Sequence, residues 1–415
     1  MFAYIDPGTG SMLFTVIIGL ATAAFFAIKG LFVKFSFLLK GGKIDKNSID
    51  SNKHEFVIFS DSKRYWNVFK PICDEFEKRK VGLEYWTMSE DDPALSEKYS
   101  YVHCLYIGNA NSAFAKLNTM NADICLSTTP GLDVYQWKRS KNVKHYVHIT
   151  HDVCAITAYR MFGVDFYDSI LLPGEMLISE LRAIEKLRGI PEKQVAVVGS
   201  VYMDGLKKQY GEYLKTAPQK KNEITVLVAP SWGVSSILNR FGSRLLKALK
   251  ETGYNIIVRP HPQSFTSDPQ LMENLMKEFP ESDSFHWNRD NDNFAVMAKS
   301  DILISDFSGI IFDFVFTFGR PVIYADTNLD LSPYDDAWLK EEPWRLKILP
   351  EIGRQLKESE FDNLKSFIKN MLEDKSYEEK RNEIMDTAWK HRGESACLVT
   401  DYMLNKKKEL DKEGK

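Results

Sequence analysis

Apolar positions along this chain fall into distinct regimes. From Ser11 to Ile28 the sequence SMLFTVIIGLATAAFFAI holds no charged residue. From about residue 55 to residue 325, short and nearly continuous apolar runs alternate with stretches of helical period. From about Glu358 to Lys408 the pattern is helical throughout.

An uncharged run of the first kind is close to the minimum length for crossing a bilayer, and Leu31–Leu39 can extend it. Lys29 and Lys34 interrupt the extension near one end, where lysine side chains reach the headgroups. MFAYIDPGTG, which precedes the run, contains no Lys or Arg, unlike the basic start of a secretory signal. A helix lying in the membrane interface, or packed on the protein, is the alternative reading. Lys29, Lys34, Lys40, Lys43 and Lys46 all follow the run. The positive-inside rule then predicts a short N-terminus outside and the remainder in the cytoplasm. The expectation is a single-pass protein of an inner, cytoplasmic membrane: an N-terminal transmembrane helix within an anchor at 1–40, then a linker at 41–54.

In the alternating region the candidate strands are EFVIFS, LEYW, YVHCLYI, DICLS, HYVHI, DSILLP and QVAVVG, followed by ITVLVAP, NIIV, SFHW, DILIS and PVIYA. Apolar runs this short and continuous fit strands buried on both faces. Helical patterns between them, such as Trp66–Lys80, Glu175–Arg188 and Ser236–Glu251, predict parallel sheets covered by helices. The polar stretch Lys207–Asn222, with Pro218, divides the alternation. The expected fold class is α/β, with two Rossmann-like domains facing a cleft, at 55–215 and 222–408. That is the architecture of GT-B glycosyltransferases. Ligands of open parallel sheets bind beyond the carboxyl ends of the strands, so the cleft is the expected site.

Charge adds little to this picture. The formal net charge is −3, which gives no ground for a nucleic-acid partner. Cys73, Cys104, Cys125, Cys154 and Cys397 are odd in number and scattered. They show neither metal-knuckle nor redox spacing, and their usage fits a reducing compartment.

Chemistry concentrates where strands end. Arg259-Pro260-His261-Pro262 directly follows NIIV, and its two prolines stiffen the exit. Arg259 suits a phosphate through its planar fork. His261 can donate to a phosphate oxygen or protonate a leaving group. Ser305-Asp306-Phe307-Ser308-Gly309 follows DILI and opens a helix, so small hydroxyls and free amides make it a phosphate site. Asp313, inside that helix, is either structural or reaches the ribose. Arg320 is either a second phosphate contact or a helix C-terminal charge. Ser231, Trp232 and Gly233 stand in the loop after ITVLV that should face the donor. In the first half, His151 lies past the end of HYVHI, where a histidine suits a general base. His145 and His148 fall on opposite faces of that strand and read as ordinary sheet residues. No motif of metal-ligand spacing accompanies them. No metal and no cofactor are expected.

Taken together, R-P-H-P at 259–262, S-D-x-S-G-x-x-x-D-F at 305–314 and R-P-V-I at 320–323 resemble the CDP-glycerol glycerophosphotransferase family of teichoic-acid primases and polymerases. His151, APSWG and FGVDFYDSILLPG at 162–174 reinforce the resemblance, which covers about residues 145–325. The chain departs from the family pattern at Gly309, where a second hydroxyl residue is common. It departs again at Thr150 and Asp152, which flank His151 in place of Trp and Gly. The resemblance implies a metal-independent transfer of glycerol phosphate from CDP-glycerol to a hydroxyl of a lipid-linked or glycan acceptor, with release of CMP. His151 would be the general base, and His261 and the serines would hold the pyrophosphate. The competing expectations are a GT-B glycosyltransferase or nucleotide-sugar epimerase using a UDP-sugar, and a catalytically inactive membrane scaffold.

Overall fold

A computed structural model of the protein describes residues 53–153, 156–217, 223–290, 292–325 and 327–413. The expected membrane helix and nearly all of the linker lie outside the described residues. Among the described residues no helix is long and apolar enough to cross a membrane.

Seven strands form the first sheet: β1 His54–Ser60, β2 Leu83–Thr87, β3 Val102–Tyr106, β4 Ala122–Ser127, β5 Val143–Ile149, β6 Ser169–Leu172 and β7 Gln194–Val197. Six form the second: β8 Thr225–Val228, β9 Asn255–Val258, β10 Phe285–Trp287, β11 Ile302–Ser305, β12 Val322–Ala325 and β13 Arg354–Leu356. Every pairing within the two sheets is parallel. The spatial orders are β3-β2-β1-β4-β5-β6-β7 and β10-β9-β8-β11-β12-β13. Each order reverses direction once, between β1 and β4 and between β8 and β11. In a doubly wound sheet that reversal opens a crevice at the strands' carboxyl ends. The central strands are apolar because both faces are covered: every residue of β4, β6, β11 and β12 is buried.

The helices that matter for the site are α1 Trp66–Arg79, α2 Val201–Thr216, α3 Ile237–Glu251, α4 Ile310–Phe318 and α5 Ser395–Glu413. The stretch from Lys207, read from its polarity as a divider, is helical as far as Thr216. Ser200 starts α2 by accepting from the Met203 amide at 3.3 Å. Its lysines cover one face while Met203 and Leu206, with Tyr210 and Tyr213 beside them, pack into the core of the second sheet. Helix α4, IIFDFVFTF, is buried along almost its whole length and ends at Gly319, whose φ of +66° closes the helix in the left-handed region. Helix α5 follows the second sheet in sequence, and the expected grouping placed its residues to 408 with that half. It packs on the first half instead: Val399 and Met403 enter the same core as Phe56, Ile58 and Phe76.

Both sheets belong to one compact unit, Asn52–Lys415. They are joined by a strap running from Leu331 to Trp344. Tyr334 pairs with Arg160 in an isolated antiparallel bridge. The amides of Asp335 and Asp336 donate to the carbonyls of Tyr159 and Thr157 at 2.9 and 2.8 Å. The Asp335 carboxylate accepts the amides of Phe162 and Gly163 and pairs with Arg188.

Candidate active site

Each sheet sends its crevice loops toward the other. From the first half, the turn after β1 brings Arg64 and Tyr65, and the end of β5 brings His151. From the second half, β8 leads to Ala229 and Pro230, and β9 to Arg259 and His261. β11 leads to Ser308 and Gly309 at the start of α4. These residues, with Asp313, line one cavity of about 360 Å³. The expected base and the expected phosphate contacts Arg259, His261, Ser308 and Gly309 are thus brought together across the two halves.

His151 is held on three sides. Its Nδ1 lies 3.3 Å from Thr128 Oγ1. The Tyr65 ring stands 5.0 Å away, centroid to centroid, and the Tyr159 ring 6.2 Å. Asp152 Oδ2 is 3.9 Å from Nε2, beyond hydrogen-bond length. In the tautomer whose Nδ1–H donates to Thr128, Nε2 carries the lone pair that faces an incoming proton.

The tautomer of His261 is set by the backbone. Its Nδ1 accepts the Gln263 amide at 3.1 Å, which leaves the ring proton on Nε2. Burial, reinforced by Arg64 and Arg259, depresses its pKa to about 4. The ring is neutral at pH 7, a donor to an anion's oxygen rather than a fixed positive charge. Arg259 is oriented by Asn288, whose Oδ1 accepts from a guanidinium nitrogen. Asp313 is pushed the other way: burial, and then the nearby Asp152 charge, raise its pKa to about 8. A neutral carboxyl at pH 7 can stand beside a phosphate without repelling it.

The geometry corrects several expected contacts. Ser305 is fully buried, and its hydroxyl donates to the Ala229 carbonyl at 2.6 Å. Asp306 is buried and accepts the amides of Ser231, Ile237 and Phe307 at 2.8 to 3.2 Å. Both residues tie the β8 loop to the β11 loop and have no capacity left for a phosphate. Asp306 would in any case repel one. Ser231, Trp232 and Gly233 do not line the cavity; Ala229 and Pro230 of the same loop do. Trp232 backs the site, its ring 6.3 Å from that of His261. Gly233 makes the turn, with φ +86°. Arg320 stands before β12, at the amino end of the sheet. It donates to the carbonyls of Met297, Ala298 and Ser300, capping the helix Phe294–Lys299, so its contacts are those of a helix C-terminal charge. His145 and His148 are buried sheet residues bonded to Ser169 Oγ and Tyr159 Oη at 2.6 and 3.1 Å.

Arg64, Tyr65, Tyr202 and Asn293 also line the cavity and were not among the expected residues. A signal for the first two was present. Asp61-Ser62-Lys63-Arg64 follows the first strand of a sheet whose first strand borders the reversal. Tyr202 and Asn293 carry no such mark. Among the described residues, no group of three His, Cys, Asp or Glu side chains is placed to hold a metal ion.

Two sheets of Rossmann order facing a shared cleft, with cationic and hydrogen-bonding groups at the carboxyl ends, make a GT-B-like fold. Residues 167–403, more than half of the chain, match the family described as CDP-Glycerol:Poly(glycerophosphate) glycerophosphotransferase. The protein belongs to that family and is a CDP-glycerol glycerophosphotransferase-like transferase. The matched stretch begins after His151. Among solved structures, the wall teichoic acid polymerase TagF is similar, with TM-score 0.56 and 17% identity over 86% of this chain and 89% of that one. TagF soaked with CDPG gives 0.56 and 15% over 95% and 98%. The UDP-GlcNAc 2-epimerase of Neisseria meningitidis, bound to UDP-GlcNAc, gives 0.51 and 16% over 85% and 100%. At these identities the likeness is one of fold. A search of curated protein sequences found no match.

Proposed function

We propose that the protein transfers glycerol phosphate from CDP-glycerol to a hydroxyl of a lipid-linked or glycan acceptor, as a step in building a cell-envelope polymer. The observation that carries this reading is the convergence of His151 from one half with Arg259, His261 and Ser308 from the other on one cavity. The donor pyrophosphate lies against Arg259, the Nε2–H of His261 and the free amides that begin α4. His151 Nε2 takes the acceptor's proton. The acceptor oxygen attacks the β-phosphorus in line, the bond to the α-phosphate's bridging oxygen breaks, and CMP departs with the electron pair. Catalysis is positioning plus charge stabilisation. Arg64, reaching in from the first half, adds positive charge on the face from which the acceptor arrives. The uncharged run Ser11–Ile28 holds the enzyme beside a membrane-borne acceptor, with the catalytic halves in the cytoplasm. The TagF structure soaked with CDPG supports the choice of donor.

The test is product analysis with purified protein and CDP-glycerol. CMP released in step with glycerol phosphate transfer is expected, falling about a hundredfold in His151→Ala. Undiminished turnover in that variant would remove the base assignment. The epimerase likeness keeps a UDP-sugar reaction as the rival; release of UDP in place of CMP would establish it.

A further inference from the structure

The His151 imidazole reaches the cleft from a loop, yet one of its nitrogens is tied to the sheet. β4 and β5 run side by side with Ser127 opposite His148, so the residues that follow each strand leave the same edge together. Thr128 is the first residue past β4. It is fully buried, and its Oγ1 lies 3.3 Å from His151 Nδ1. The chain on both sides of it is fixed. Ser127 Oγ donates to the Phe59 carbonyl at 2.8 Å and accepts the Thr129 amide at 3.1 Å. The Thr129 carbonyl accepts Tyr167 Oη at 2.5 Å. A hydroxyl mounted on a strand end bonded in this way holds its place and can impose a direction on the ring it meets.

The ring needs that direction. A half-turn about its Cβ–Cγ bond exchanges Nε2 with Cε1, and the ring's shape does not forbid it. The Tyr65 and Tyr159 rings limit tilt, but a hydrogen bond is what sets which atom faces the cleft. At the other edge the Asp152 carboxylate stands 3.9 Å from Nε2, too far for such a bond. A proton on Nε2 would face a carboxylate that it does not reach. A proton on Nδ1 has Thr128 Oγ1 to accept it.

We propose that Thr128 is the positioning residue of His151: its hydroxyl accepts Nδ1–H, fixes the ring's face and tautomer, and aims the Nε2 lone pair into the cleft. The hold on the ring stands on geometry; its bearing on turnover rests on the transferase reading above. Thr128 does not line the cavity, so it acts through His151 alone. A hydroxyl carries no charge. Unlike the carboxylate that orients the histidine of a Ser-His-Asp site, it sets direction and nothing else. Its loss reaches the rate and leaves the donor's hold on the second half untouched.

Two variants of the full chain test this. Thr128→Val removes the hydroxyl and keeps the branched shape that suits a strand end; Thr128→Ser keeps the hydroxyl. The first readout is nitrogen-15 NMR of the eight histidines at about pH 9, where ordinary imidazoles are neutral, with His151→Gln to assign the signal. His151 should carry its proton on Nδ1 in the wild type and in Thr128→Ser, and lose that preference in Thr128→Val. The second is CMP release from CDP-glycerol. In Thr128→Val kcat should fall roughly tenfold or more, the scale of a misplaced reacting group, with KM for CDP-glycerol unchanged; Thr128→Ser should restore most of the rate. A neutral wild-type His151 protonated on Nε2, or one whose spectrum is the same in Thr128→Val, would overturn the proposal. So would a wild-type rate in Thr128→Val, or a loss that Thr128→Ser does not repair. If the wild type releases no CMP at all, the transferase reading fails, and the NMR result alone decides whether Thr128 sets the ring.

Discussion

Asp313 sets a pH signature for the reaction cleft. Its folded pKa of about 8 stands above the ordinary carboxylate value, so the folded protein holds a proton that the unfolded chain has released. The sign follows: this residue's contribution to stability is fullest below about pH 4, falls as pH rises through the window from about 4 to about 8, and is flat above it. Donor binding should track the same titration from the other side, because ionised Asp313 faces the bound pyrophosphate. Affinity for CDP-glycerol, followed by calorimetry, should drop above about pH 8 in the wild type. In Asp313→Asn that alkaline loss should be absent. A wild-type profile flat from pH 7 to 9 would contradict the assignment. The sequence placed Asp313 inside the helix after the Ser-Asp-Phe-Ser-Gly motif and left its role open, since burial is not written in a motif. For the same reason Ser305 and Asp306 read as phosphate contacts. Their types suit an anion site, and only the hydrogen bonds to Ala229, Ser231, Ile237 and Phe307 show them spent on the backbone.

Elements were more legible than contacts. The apolar runs marked the central strands because a strand buried on both faces has little room for polar residues. β13, only three residues with two partly or fully exposed, has no such run and went unmarked. Helix α2 was obscured by its lysines, which say that one face meets solvent and nothing about the other. Arg320 was ambiguous because a basic residue before a strand can face either end of the sheet. The last helix shows the largest gap between order in sequence and place in space. Its Met403 is fully buried against the first sheet, and Lys407 lies 3.4 Å from the buried carboxylate of Asp123, which Lys53 and Lys144 also approach. Met403→Ala should cost about 2–5 kcal/mol, measured as a lowered urea midpoint. The kinetic constants of the remaining folded enzyme should be unaltered, because the residue lies away from the cleft. A shift below about 0.5 kcal/mol would mean that α5 is only loosely seated.

At the scale of the molecule, charge faces charge across an open crevice. Arg64 and Arg259 line it from opposite halves, and both depress the pKa of His261. Their mutual repulsion favours separation of the halves, and a pyrophosphate between them reverses the sign. Small-angle scattering should therefore show the molecule contract when CDP-glycerol is added. In Arg64→Ala the contraction should be smaller and turnover about tenfold to a hundredfold lower, on the scale expected for loss of one charge-stabilising group. An unchanged radius and rate in that variant would restrict donor capture to the second half. The strap from Leu331 to Trp344 constrains any such motion, because its bonds to Thr157, Tyr159, Arg160 and Arg188 tie the halves together. None of this was readable from the sequence. It could place the two halves and the loops at their strand exits, but Arg64 and Arg259 are far apart along the chain, and their pairing exists only after both sheets have folded.

The return of α5 to the first half has a consequence for how the protein is made. During synthesis the first sheet leaves the ribosome with Phe56, Ile58 and Phe76 in place, but Val399 and Met403, which share that core, are translated only after the whole second sheet. The half that is translated first is completed only after the other. Until α5 has emerged, the part of that apolar face which it covers stays open. A chain that stops before α5 would thus carry an exposed apolar surface on its first sheet, a place for chains to stick to one another.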